Sequence, residues 1–279
     1  RFLFAAAMSA AVKADGSFEV ALPDGARLRC WSEGSGPPLL LVSGLSGTAG
    51  FWKGASATLS RQFRVLRFDQ RGIGASSRGS APCTIAQLAA DCPIVLDAAG
   101  IESCVMLGHS TGGCIGQALG TMAPERLRGL ILSASWLRPG RYMSALFGAR
   151  RAILDPLPEA YAASSALMAY PPAWLEANWP VFEAAAAAAP QTPEARQIVR
   201  ERIDALLAFD GSADAGALTM PLLVLGARDD LIVPAFLQEE LAAALLEPTL
   251  ILLDSGGHFF PNSRPDAFTA KVAEWIGML

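Results

Sequence analysis

The chain has 279 residues, of which 52% are hydrophobic and 17% charged, and its 22 basic and 26 acidic side chains leave a formal net charge of −4. This apolar content excludes intrinsic disorder, and the absence of any Lys or Arg run removes the electrostatic footprint of a nucleic-acid binder. No segment reaches the roughly 18–20 uninterrupted apolar residues of a membrane span, so neither nucleic acid nor membrane is expected as a partner.

Residues 1–7 are apolar and precede Met8, which looks like a natural start. They read as an upstream remnant, with a trimmed targeting segment as the alternative, and residues 1–16 together as an N-terminal extension. Short apolar runs at 17–22, 27–31, 38–42 and 64–68 read as strands, followed by a helical pattern over 84–99. Thr84 and Gln87 have capping-box spacing at the start of that helix, Gly100 supplies a stop, and Pro93 predicts a kink inside it. Further strand runs fall at 104–108, 130–133, 222–226 and 250–253, nearly continuous in Leu, Val and Ile, as in parallel strands buried on both faces. Helical patterns follow Thr111, Pro234 and Pro265. This alternation implies an α/β fold with a doubly wound, mainly parallel sheet of eight strands. Residues 136–218 break the rhythm: alanine-rich and without a strand pattern, they read as a helical cap inserted between core segments 17–135 and 219–279.

The sharpest chemical signal is Gly108-His109-Ser110-Thr111-Gly112, a G-x-S-x-G sequence between a buried apolar run and a helical pattern. A serine on a tight strand-to-helix turn is presented at the helix N-terminus, and the flanking glycines let neighbouring backbone pass without a clash. With the segments Leu41-Val42-Ser43-Gly44-Leu45-Ser46-Gly47 and Arg67-Phe68-Asp69-Gln70-Arg71-Gly72-Ile73-Gly74, the chain resembles the α/β-hydrolase superfamily from about residue 17 to its end. With Thr84-Ile85-Ala86-Gln87-Leu88, these segments make it most similar to 3-oxoadipate enol-lactonases and to aminoacrylate hydrolases of pyrimidine degradation, and Trp136-Leu137-Arg138 and Tyr170-Pro171-Pro172-Ala173-Trp174 are similar to the aminoacrylate group. The resemblance implies an α/β-hydrolase fold and a Ser-His-Asp triad with Ser110 as nucleophile.

Only two histidines exist. His109 lies inside the elbow, where its ring is expected to point away from the serine and to pack. His258, in the glycine-rich loop after the last strand run, is left as general base. The acid should lie between nucleophile and base in chain order, and the segment after the strand run 222–226 offers Asp229 and Asp230. The resemblance, which places the acid four residues before Pro234, selects Asp230, and Asp229 is then expected in a surface pair with Arg228. Oxyanion donors are the backbone N–H of Thr111, just after the nucleophile, and, by resemblance, that of Leu45. Where many relatives have His-Gly, this chain has Ser43-Gly44. Asp69, Gln70 and Arg71 read as structural supports for their loop.

The aromatic-rich insertion is expected to cover Ser110 and shape a small pocket. Candidate substrate contacts are Phe51, Trp52, Trp136, Arg138 and Tyr170. Arg138, Arg141, Arg150 and Arg151 could attract a carboxylate, because the resembled enzymes act on small anionic compounds, or could simply be solvated helix charge. Five cysteines (Cys30, Cys83, Cys92, Cys104, Cys114), an odd number without C-x-x-C spacing, fit reduced thiols in a cytoplasmic setting. No cofactor and no metal are implied. The expected partner is a small-molecule substrate, and the chain a monomer or homodimer. The implied activity is hydrolysis of a small ester, lactone or amide, with aromatic or heterocycle catabolism as a setting. A C–C bond hydrolase, perhydrolase, cofactor-free oxygenase or non-catalytic ligand binder on the same fold stays open.

Overall fold

In the computed structural model, which describes residues 13–45 and 47–279, the apolar runs pair into one sheet. Its strands are β1 (Ser17–Ala21), β2 (Arg27–Glu33), β3 (Pro38–Val42), β4 (Arg64–Phe68), β5 (Cys104–His109), β6 (Leu127–Ser133), β7 (Leu222–Ala227) and β8 (Thr249–Leu253). Readings placed on residues 1–7 lie outside the described residues. Several strands run past their apolar core because backbone pairing, not hydropathy, sets their ends. Ser32 and Glu33 join β2 by pairing with Leu66 and Val65. Leu127 and Gly129 join β6 by pairing with Cys104 and Val105, although exposed Arg128 interrupts the apolar run.

The strand order is β1-β2-β4-β3-β5-β6-β7-β8, with β1–β2 and β2–β4 antiparallel and every other pair parallel. After β3 the chain steps outward to β4, then returns to lay β5 on the other side of β3. The winding therefore reverses between β3 and β5, and the crevice beyond their carboxyl ends is where open α/β sheets bind ligands.

Alternate side chains of the central strands feed two cores. Leu40, Val42, Met106, Leu130, Leu132 and Val224 face one, and Leu39, Leu41, Val105, Leu107, Ile131 and Leu223 the other. Helices α1 (Lys53–Leu59), α2 (Ile85–Ala98) and α3 (Thr111–Met122) follow β3, β4 and β5. α2 and α3 cover the first face, whereas α1 covers the second. Thr84 caps α2 by accepting from the Gln87 N–H at 3.1 Å. The Gln87 side chain turns to Asp91 instead of closing the box. Gly100, at φ +66°, ends the helix, with Ile101 N–H reaching Leu96 O and Gly100 N–H reaching Asp97 O, as in a Schellman motif. Pro93 lies within α2 without ending it.

Between β6 and β7 the chain forms five helices: α4 (Gly140–Leu154), α5 (Pro158–Ala169), α6 (Pro172–Ala177), α7 (Trp179–Ala187) and α8 (Pro193–Ala208). The remaining helices are α9 (Ala235–Ala244), α10 (Phe260–Ser263) and α11 (Pro265–Ile276). α9 joins the first face, and α11 brings Phe268, Val272 and Trp275 to the second. No helix among the described residues is long and apolar enough to cross a membrane.

Candidate active site

β5 delivers the chain to Ser110 at the carboxyl edge of the sheet, beside the switch in winding. Ser110 adopts φ +56° and ψ −122°, a region that L-residues occupy only when their surroundings impose it. Here the Ser110 N–H donates to Ser133 O at 2.7 Å, and the Gly113 N–H donates to Ser110 O at 2.9 Å. The flanking glycines are sterically required. A Cβ on Gly108 would lie 2.1 Å from Gly112 O, and one on Gly112 would lie 2.2 Å from Val42 O.

The loops after β7 and β8 bring Asp230 and His258 together. His258 Nδ1 sits 2.8 Å from Asp230 Oδ2. Asp230 Oδ1 accepts the N–H groups of Ile232 and Val233, each at 2.8 Å. With both oxygens occupied and the side chain buried, the carboxylate is held in one orientation. An Nδ1–H donating to it leaves Nε2 as the unprotonated nitrogen of a neutral ring. Ser110 and His258 line the same cavity, and no hydrogen bond joins Ser110 Oγ to the ring among the described residues. Such contacts often tighten only around substrate.

Asp229 does not pair with Arg228. Its carboxylate accepts the N–H groups of Gly256 and Gly257 at 3.1 and 2.8 Å, pinning the His258 loop to the end of β7, while Arg228 points to Asp254. His109 packs as expected: it is buried beside the cavity, stacks on Phe51 with ring centroids 5.0 Å apart, and lies 4.9 Å from the His258 ring. Burial, with the His258 ring close by, pushes its pKa well below 6.5, so it stays neutral and hydrogen-bonds through Nδ1 to Ser133 Oγ at 3.0 Å.

The loop after β3 closes on the serine: a Cβ on Gly44 would stand 2.9 Å from Ser110 Cβ and 3.4 Å from its Oγ. The backbone N–H groups of Leu45 and Thr111 donate to no protein acceptor among the described residues. Three side chains brace this loop. Ser43 Oγ donates to Gly47 O at 2.7 Å, which supplies support where many relatives have histidine, and Gln70 Nε2 donates to Ser43 O at 2.6 Å. Arg202, buried on α8, donates through Nε to Leu45 O at 2.7 Å and through Nη2 to Gly44 O at 3.5 Å and to Gln70 Oε1. Burial lowers the Arg202 pKa to about 10. Sequence reasoning missed Arg202, because it acts on a loop 157 positions away and carries no motif. Asp69 and Arg71 serve the scaffold: Asp69 accepts from Ala49 and Ala75 N–H, and Arg71 is buried between Asp91 and Asp24.

The cavity holds about 400 Å³ and is walled by the core loops on one side and by α4, α5, α7 and α8 on the other. Phe51 and Tyr170 line it. Trp52, Trp136 and Arg138 do not. Trp52 is fully buried and stacks on Phe268 in the core under α11. Trp136 is fully buried in the opposite core, its carbonyl accepting from Gln117 Nε2. Arg138 lies at the surface, 3.0 Å from Glu240. An aromatic side chain beside a site serves equally as core or as lining, and only its direction across the backbone decides which. Among the described residues no group of three or more His, Cys, Asp or Glu could hold a metal ion. Burial raises the thiols of Cys30, Cys92, Cys104 and Cys114, which keeps them protonated and unreactive.

A serine held at positive φ between parallel strand and helix, facing a His–Asp pair from the last two strand loops, is the architecture of the α/β hydrolases. The family model for the alpha/beta hydrolase fold matches residues 37–264, and the chain belongs to that family. It is 36% identical over 245 residues to the RutD protein of Azorhizobium caulinodans, named as a carbamate hydrolase, covering 88% of this chain and 92% of the relative. RutD of Variovorax paradoxus is 37% identical, covering 86% and 92%. Among solved structures, a hydrolase of Pseudomonas aeruginosa superposes with a TM-score of 0.85 at 31% identity, covering 95% of this chain and all of that one. The enol-lactonase of Burkholderia xenovorans superposes with a TM-score of 0.82 at 25% identity, covering 93% and 99%. The chain is a hydrolase of this fold, and its relatives fall in both groups that it resembles.

Proposed function

We propose that the chain is a serine hydrolase acting on a small acyl compound, an ester, lactone, amide or carbamate, through a covalent acyl-enzyme. Ser110 Oγ attacks the carbonyl carbon while His258 Nε2 takes its proton, and Asp230 holds the ring and stabilises the imidazolium without accepting the proton itself. The Leu45 and Thr111 N–H groups receive the developing oxyanion. The imidazolium protonates the leaving group, and water activated by His258 then releases the acyl group and restores Ser110. The observation that carries this reading is the 2.8 Å His258–Asp230 hydrogen bond beside a strained Ser110 at one cavity. RutD and enol-lactonase relatives supply the carbamate and lactone ends of the substrate range.

Intact mass after treatment with a small fluorophosphonate tests the mechanism. One adduct on Ser110, absent from Ser110→Ala and from His258→Ala, is expected. A folded wild-type protein that remains unlabelled and turns over no small ester would overturn it.

A further inference from the structure

Arg150, on α4, is the one permanently charged side chain among the described residues lining the cavity, and no Asp or Glu lines it there. It is only 6% exposed. Its guanidinium lies between two aromatic faces, 5.0 Å from the Phe147 centroid and 4.8 Å from that of Tyr161. Nη2 donates to Ser165 Oγ. Nε is buried without a partner among the described residues, and so is the Tyr161 hydroxyl. Arg150 forms no ion pair among the described residues, and burial lowers its pKa. The other arginines at the start of the insertion differ. Arg138 and Arg151 form ion pairs with Glu240 and Asp204 at the surface.

A buried cation without a counter-charge is costly to keep. Cation–π contacts satisfy the faces of a guanidinium but not its in-plane donors. Nη1 makes no hydrogen bond among the described residues, and Arg150 lines the same cavity as Ser110. A substrate anion placed there would supply the missing charge and pair with the planar fork in a water-poor wall.

We propose that Arg150, supported by Ser165 and Tyr161, is a specificity-determining anchor for a carboxylate carried by the substrate, whose scissile carbonyl lies at Ser110. This rests on the serine-hydrolase reading above and adds to it the charge of the substrate. An anchor in the wall opposite the nucleophile selects a compound carrying both an acyl bond and a carboxylate within about 400 Å³. Larger or neutral esters would leave the guanidinium desolvated and unpaired.

The test compares matched ester pairs on the full chain. One pair carries the carboxylate on the acyl side (p-nitrophenyl hydrogen glutarate against p-nitrophenyl hexanoate), the other on the leaving group (4-acetoxybenzoate against phenyl acetate). Each protein is read as its ratio of kcat/KM for the anionic over the neutral ester, so that partial unfolding lowers both values and cancels. In at least one pair the wild-type ratio should exceed unity by about tenfold or more. Arg150→Gln should lower that ratio about 10- to 100-fold, Arg150→Lys should restore part of it, and Tyr161→Phe should lower it less. A wild-type ratio at or below unity in both pairs, or a ratio unchanged in Arg150→Gln, overturns the Arg150 assignment alone. Absence of turnover of every ester together with absence of Ser110 labelling overturns the serine reading, and this proposal with it.

Discussion

Arg202 offers the most direct trial of the geometry around the nucleophile. Replacing it with Met removes the donors to Leu45 O and Gln70 Oε1 and frees the loop whose N–H is assigned to the oxyanion. Deleting an oxyanion donor outright costs about 2.7–4 kcal/mol, or 10²- to 10³-fold in kcat. Misplacing the donor by loosening its loop costs part of that, so a fall in kcat of about 10- to 100-fold is expected, roughly 1.4–2.7 kcal/mol. In stability two opposing effects offset each other. Holding the buried guanidinium at a pKa of about 10, against 12.5 for a free one, corresponds to roughly 3 kcal/mol of charge-burial cost that Met does not carry. The Leu45 and Gln70 oxygens left without this donor cost about 1–3 kcal/mol each, the 3.5 Å contact to Gly44 O adding little. The balance lies within about 3 kcal/mol of zero. The assay is steady-state hydrolysis of p-nitrophenyl acetate beside a thermal melt, with Arg202→Lys as the conservative control. Lys keeps one donor for Leu45 O and should recover part of kcat. A kcat within twofold of wild type in a folded Arg202→Met protein would refute the bracing role.

Three further outcomes follow from contacts around the site and its scaffold. Asp229→Ala removes the acceptor of the Gly256 and Gly257 N–H groups, so kcat should fall about tenfold through a looser His258 loop, and an unchanged kcat would show that the loop holds itself. Arg71→Met leaves Asp91, which is 2% exposed, buried without its cation, and should cost about 3–5 kcal/mol in urea unfolding; a loss below about 1 kcal/mol would contradict the ion-pair reading. His109 has its folded pKa pushed below 6.5, so below that pH the unfolded chain binds a proton that the folded chain refuses. Its contribution is fully present above pH 6.5 and is lost as the pH falls, with a slope of up to about 1.4 kcal/mol per pH unit. His109→Gln should flatten the melting temperature between pH 6.5 and 5 relative to wild type, and parallel profiles would refute the assignment.

Much of the architecture was legible in the sequence because it depends on local patterning. Strand runs that are apolar at every position can only be buried on both faces, so 38–42 and 104–108 announced a parallel sheet. The elbow was legible because Gly108 and Gly112 stand where a Cβ would collide with backbone about 2 Å away, a constraint that reaches the sequence as glycine. With two histidines in the chain, the base was nearly fixed by elimination. The folded chain decided what depends on direction and on distant partners. Trp52 and Trp136 carry the composition of pocket walls, yet the turn after β3 and the loop after β6 direct them into opposite cores, whereas Phe51, one position before Trp52, lines the cavity. Asp229 and Asp230 are neighbours with opposite assignments, one holding the His258 loop and the other the ring, because consecutive side chains at the strand end point different ways. Arg150 and Arg151 are likewise adjacent on α4; the helical turn buries one without an acid and hands the other to Asp204 at the surface. Arg202 is the extreme case, since its value lies wholly in a carbonyl that is remote in sequence. Residue type and spacing carry the chemistry that a chain can perform, whereas burial and the pairing of each charge are properties of contacts that exist only once the insertion has closed over the sheet.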